Sequence, residues 1–256
     1  MQQEDIFNRF QKFLNETKGE FHVLEHQVPL ETQMEYFQHS NRLRSILEPS
    51  KPVAGGEDFA RVVSNLQNPE ISEKEKKHVL SLLAVSKQVK AYRVLEKYLQ
   101  SPDKELTDWA LMALMESRMT LESELSDERC IYISTGLGGK GSKLRFYILM
   151  LSASGEPFLD YQQRVIEREF AFSLSKGNGE MEQFIIKENY IEILVLLPIQ
   201  LDIKHFLKQI MLECNQYGNF ISKSVTITNV RKLTDGEIAK IIESHENENK
   251  NIRTSR

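Results

Sequence analysis

The run Gly136-Leu137-Gly138-Gly139-Lys140-Gly141-Ser142-Lys143 places four glycines within six residues and two lysines beside them. Glycine leaves backbone N–H groups unshielded, and a concave run of such groups binds anions. From Arg129 to Gly155 the chain carries four cations, Arg129, Lys140, Lys143 and Arg145, and no acid. The candidate site is therefore Gly136, Gly138, Gly139, Lys140, Gly141, Lys143 and Arg145. Its chemistry would be recognition of an anion or an RNA backbone. A hairpin loop with solvated lysines is the competing reading.

Known loop chemistries narrow this further. A Walker A loop needs Gly-x4-Gly-Lys-Ser/Thr opening a helix, whereas here Gly141 is followed by Ser142-Lys143 and a strand pattern. A KH-type loop joins two helices, and strand patterns flank this one. The Lys/Arg-Gly-aromatic signature of an RNA-recognition sheet is absent, and Phe146 and Tyr147 are adjacent, so only one can face outward. His22 and His26, at i and i+4, would share a helix face, but two histidines without a third ligand make a weak metal signal. His205 and Cys214 are too far apart along one helix to form a nucleophile–base pair. No catalytic residue, metal site or cofactor is expected, which makes an enzyme the less favoured class.

The elements that must hold the loop come in two halves. Ile6, Phe7, Phe10, Phe13 and Leu14 recur at helical spacing, as do Met34, Phe37, Leu43 and Leu47 behind a Thr32/Glu35 capping box. Glu48–Asp58, with two prolines and two glycines, reads as a linker. Leu66-Gln67-Asn68-Pro69 then recurs as Leu99-Gln100-Ser101-Pro102, 33 residues on, each beside a helix–turn–helix pattern. Ser72/Glu75 offers a capping box in the first copy, and Ser101 with Pro102 a helix start in the second. A period near 30 with two helices per unit predicts a helical solenoid.

Beyond residue 126 the pattern becomes mixed. Cys130–Thr135 reads as a strand before the glycine run, and Leu144–Ala153 as a long apolar strand. A helix over Asp160–Ser175 and two strands, Met181–Lys187 and Tyr190–Leu197, follow. A helix capped by Asp202 and a strand Ile221–Val230 complete βαββαβ. The first and third strands are the most apolar, as the middle of such a sheet requires. Thr234/Glu237 caps a short helix ending near Glu243, and the polar tail 244–256 is expected to be disordered. The expectation is an α+β chain. Residues 1–125 form a helical-repeat domain, and 126–243 a ferredoxin-like domain with an extra N-terminal strand.

The segment SPDKELTDWALMALMES (Ser101–Ser117) resembles HEAT-type repeats, particularly short bacterial ones similar to those of phycobilisome lyases. The proline turn, then Leu106, Ala110, Ala113 and Leu114, carry the likeness, which spans about residues 59–120. Thr107 stands where that family usually has arginine.

The 256 residues are 40% hydrophobic and 27% charged, with a formal charge of −4, which excludes a wholly disordered chain and argues against binding nucleic acid by bulk charge. Two acids at the N-terminus and the lack of any long apolar run argue against a secretory signal or membrane span. Cys130 and Cys214, far apart in apolar segments, read as reduced core thiols, and the compartment as cytoplasmic. The resulting functional expectation is a non-enzymatic interaction or adaptor protein that docks a protein partner through its helical half. An RNA- or ribosome-associated factor using the glycine loop is the alternative. An enzyme acting on a phosphate-bearing substrate comes third. No membrane partner is expected, and self-association would run through the sheet.

Overall fold

The computed structural model describes residues 20–46, 56–125 and 130–254, and the side chains of most of them. Among these the chain is α+β, with eight α-helices and seven strands. Residues 6–14 and 48–55 lie outside the described residues, as does the Cys130 side chain, and residues 56–58, the end of the expected linker, belong instead to the helix Gly56–Gln67. Two compact units divide between Ser134 and Thr135.

The first unit contains β1 (Glu20–Val23), α1 (Leu30–Ile46), α2 (Gly56–Gln67), α3 (Glu73–Val85), α4 (Val89–Tyr98), α5 (Thr107–Leu125) and β2 (Cys130–Ile133). The helix–turn–helix pairs α2/α3 and α4/α5 match the repeated pattern in the sequence. Ser72 and Glu75 close a reciprocal capping box at α3, as their spacing requires. The Thr32/Glu35 pair caps nothing, because α1 already begins at Leu30. Leu80, Leu95, Leu106, Met112 and Trp109 form the core of this unit. Trp109, 2% exposed, donates its indole N–H to the Lys77 carbonyl and to Ser81 Oγ, both at 3.0 Å.

A buried carboxylate fastens α1 to α5. Glu116 accepts hydrogen bonds from Tyr36 Oη at 2.6 Å, Ser40 Oγ at 2.5 Å and Arg44 Nη2 at 2.7 Å. Tyr36 and Ser40 are wholly buried, so each donor must find its acceptor inside the protein. Burial, reinforced by Glu116, pushes the Tyr36 phenol well above its ordinary range, and it stays a donor.

The strand Cys130–Ile133 does not belong to the C-terminal sheet. It pairs in parallel with β1, Phe21 opposite Ile131 and His22 opposite Tyr132. This answers a difficulty in the sequence, where an extra strand competes with the fourth strand for one edge. It also places the division at 134/135. His22 therefore sits on a strand, stacked on Tyr132 at 5.0 Å, and shares no helix face with His26.

The second unit holds β3 (Gly139–Lys140), β4 (Lys143–Ser152), α6 (Asp160–Lys176), β5 (Glu180–Ile186), β6 (Tyr190–Pro198), α7 (Ile203–Asn215), β7 (Ile221–Thr228) and α8 (Asp235–Thr254). From β4 to β7 the order is βαββαβ. The antiparallel sheet runs β5-β6-β4-β7, with β3 a short hairpin partner of β4. Both central strands are buried on both faces. Ile148, Met150, Ile193 and Val195 pack against α6 and α7, while Tyr147, Leu149 and Leu194 pack beneath Ile238 of α8. This double burial explains why β4 and β6 read as continuous apolar runs.

Local signals set the helix ends of this unit. Asp202 caps α7 by accepting from the His205 N–H at 3.1 Å. Thr234 and Glu237 cap α8 reciprocally. That helix continues past Glu243 to Thr254, in a stretch of Glu, Lys and Asn that holds no Pro or Gly. The sequence suggested disorder there.

Candidate functional site

The glycine run folds as the β3–β4 hairpin and the turn leading into it. Gly136 lies so close to Val230 that an added Cβ would meet its carbonyl oxygen at 1.9 Å. Leu137 is 2% exposed, and its N–H donates to the Asn229 carbonyl at 3.0 Å. The Gly138 N–H donates to Thr135 O at 3.1 Å, and Gly138 O accepts from the Arg145 N–H at 2.9 Å. Gly138 and Gly141 take positive φ, +67° and +58°, the conformation glycine adopts most cheaply.

The cations of the hairpin face carboxylates of β5. Lys143 Nζ reaches Glu180 at 2.7 Å and Lys140 Nζ reaches it at 3.1 Å. These two lysines hold the Glu180 carboxyl below its usual range. Arg145 forms a two-pronged pair with Glu182 and donates to Leu137 O at 2.7 Å. Glu182 lies in a bulge of β5, between Met181 and Gln183, and such bulges re-aim side chains. The structure thus brings Gly136, Gly138, Gly139, Lys140, Gly141, Lys143 and Arg145 together in one hairpin and spends their charge on Glu180 and Glu182.

Three further lysines gather at a groove elsewhere in this unit. α7 and β7 enclose a groove of about 510 Å³. Its floor is apolar, with Met211, Val225 and Ile227 partly buried against the core. Lys204 and Lys208, one turn apart on α7, and Lys223 of β7 stand around it. Leu212, 52% exposed, also lines it. Asn215 holds the two walls together, accepting from the Ile221 N–H at 2.9 Å and donating to its carbonyl at 3.1 Å. β7 pairs with β4 along one edge, and among the described residues no strand covers the other. The i, i+4 spacing of Lys204 and Lys208 was readable in the sequence, but their convergence with Lys223 follows only from the fold.

On the face covered by α8, Tyr147 donates to Glu192 Oε2 at 2.7 Å. Tyr147 is 1% exposed, and burial followed by Glu192 raises its phenol far above the ordinary value. It is a structural donor, since a nucleophile would need the opposite shift. Cys214 is wholly buried, and burial pushes its thiol up to about 12. Among the described residues no group of three or more His, Cys, Asp or Glu is placed to hold a metal. No described helix is long and apolar enough to cross a membrane.

No family model matches the chain, and no curated protein matches it. Among solved structures, a protein of Deinococcus radiodurans R1 provisionally described as a transposase is similar at 14% identity. The match covers 40% of this chain and 91% of that one, with a TM-score of 0.36. A REP-associated tyrosine transposase bound to a REP hairpin is similar at 12% identity, over 38% of this chain and 62% of that one, with a TM-score of 0.31. Neither neighbour is a non-enzymatic adaptor. The expectation of an adaptor docking a protein through its helical half is therefore withdrawn, together with protein–protein interaction as its leading activity. The HEAT-like and ferredoxin-like labels gain no confirmation from these comparisons. Likenesses this distant assign no activity to the chain.

Proposed function

We propose that the C-terminal α+β unit binds nucleic acid, DNA in the first instance, along the groove between α7 and β7. The observation that carries this reading is the convergence of Lys204, Lys208 and Lys223 on one apolar groove. Lysines around a groove meet backbone phosphates as point charges, and an apolar floor receives sugars and base faces without reading their sequence. The chain as a whole is acidic, so its binding must come from a local patch and not from bulk charge.

Lysine footprinting tests the assignment. The intact protein is acetylated with and without a hairpin DNA oligonucleotide, with the matching RNA hairpin in parallel. Lys204, Lys208 and Lys223 are expected to lose reactivity when DNA is present, and Lys140 to keep its own. Equal labelling of the three groove lysines in both conditions overturns the proposal. Protection by RNA alone changes the polymer and leaves the site.

A further inference from the structure

We propose that a second groove, between α2, α3 and α4 of the helical unit, binds a small amphiphilic carboxylate. This groove measures about 600 Å³, within the range of roughly 300–1,000 Å³ usual for small-molecule sites. Val63, Leu66 and Val94 form an apolar wall, and the polar end is built around Lys76.

The Lys76 side chain is only 9% exposed, and its ammonium donates to Asp103 Oδ2 at 2.7 Å. An ammonium carries three N–H donors. The other two meet no partner among the described residues. Tyr98 Oη donates to the same Asp103 oxygen at 3.0 Å. Asp103 itself is 46% exposed, so the fixed charge of the groove is the buried ammonium, and its counterion stands at the mouth. Lys97 lines the same groove.

Two lysines against one aspartate leave a single net positive charge, which suits a monoanion better than a phosphate dianion. A carboxylate head can take the unused Lys76 donors while the aliphatic body lies on Val63, Leu66 and Val94. Lys76 also holds Asp103 ionised at neutral pH, and burial together with Asp103 raises the Tyr98 phenol to about 12. Asp103 and Tyr98 therefore each keep one charge state across the physiological range.

The test is calorimetric titration of the intact protein with decanoate, and with decanol as the uncharged control. Decanoate should bind at one site per chain and at least tenfold more tightly than decanol. Lys97→Gln should weaken it severalfold. Val94→Glu, which sets a carboxylate into the apolar wall, should abolish saturable binding. Leu212→Glu, in the groove of the other unit, should change nothing. Circular dichroism confirms that each variant is folded. The proposal is overturned by the absence of saturable decanoate binding, by equal affinity for decanol, or by binding unaffected in Lys97→Gln. It concerns the helical unit and stands whether or not the C-terminal unit binds nucleic acid.

Discussion

Replacing Glu116 by Ala should destabilise the helical unit by about 3 kcal/mol, because two buried hydroxyl donors lose their acceptor. Tyr36 and Ser40 are both 0% exposed, so neither donor can turn to water. A buried donor left without a partner costs about 1–3 kcal/mol, which puts two of them at about 2–6. Arg44, half exposed at 52%, rehydrates when its partner is removed and adds little. Glu116→Gln keeps the volume and one acceptor oxygen but turns an amide donor toward the hydroxyls, and should cost about 1–2 kcal/mol. Urea unfolding followed by tryptophan emission isolates this unit, because Trp109 is the only tryptophan and lies in its core. A double-mutant cycle of Glu116→Ala with Tyr36→Phe should show coupling of at least about 1 kcal/mol. Combining Glu116→Leu with Tyr36→Phe and Ser40→Ala should recover most of the loss, since matched apolar groups leave nothing unpaired. A Glu116→Ala cost below about 1 kcal/mol, or an additive cycle, would refute the reasoning.

Three further outcomes follow from the same physics. The His39 ring packs 5.5 Å from His78 and 5.8 Å from Trp109, with its Nε2 buried and unpartnered, and burial, then His78 and Arg42, lower its pKa against the opposing pull of Glu35. The unfolded state then takes up the proton first, so stability of this unit is full above the ordinary value of 6.5 and falls as the pH drops below it. Urea midpoints read from Trp109 should fall between pH 7.5 and 5.5, and His39→Gln should flatten that dependence; a slope unchanged in the variant contradicts it. Phe206→Ala, at a position 9% exposed in the C-terminal core, should cost about 3–5 kcal/mol in thermal unfolding, and a loss below about 1 would place the ring outside the core. Gly136→Ala should lower the melting temperature of the C-terminal unit, because its Cβ has no space beside the Val230 carbonyl, and an unchanged melting curve would show that the turn can move aside.

What could be read from the sequence was local. Capping boxes at Ser72/Glu75 and Thr234/Glu237, the Asp202 cap and the apolar stripe of α7 depend on neighbours a few residues apart, and each forms. The central places of β4 and β6 were legible because burial on two faces leaves an unbroken apolar run. Features set by distant chain segments were hidden. Phe21 and Ile131 become neighbours only through a parallel pairing whose two strands have four residues each, and that short pattern let His22 and His26 pass for a helix. Nothing in the sequence of β5 announces that Glu180 and Glu182, at its start, will lie across β6 from Lys143 and Arg145. The glycine run stood out for its composition, whereas Lys204, Lys208 and Lys223 are unremarkable in the sequence and gain meaning from the meeting of α7 with β7.

The salt dependence of DNA binding tests the central claim most directly. The affinity of the intact protein for a labelled hairpin oligonucleotide is measured across a salt series, for the wild type and for the combined Lys204→Gln, Lys208→Gln, Lys223→Gln variant. Each lysine–phosphate contact contributes roughly 0.7–0.9 to the slope of log affinity against log salt, so the slope should lose about 2–3 in the variant. Lys140→Ala with Lys143→Ala should leave it unchanged, since both lysines are already held by Glu180. A triple variant that binds with the affinity and slope of the wild type would contradict the account.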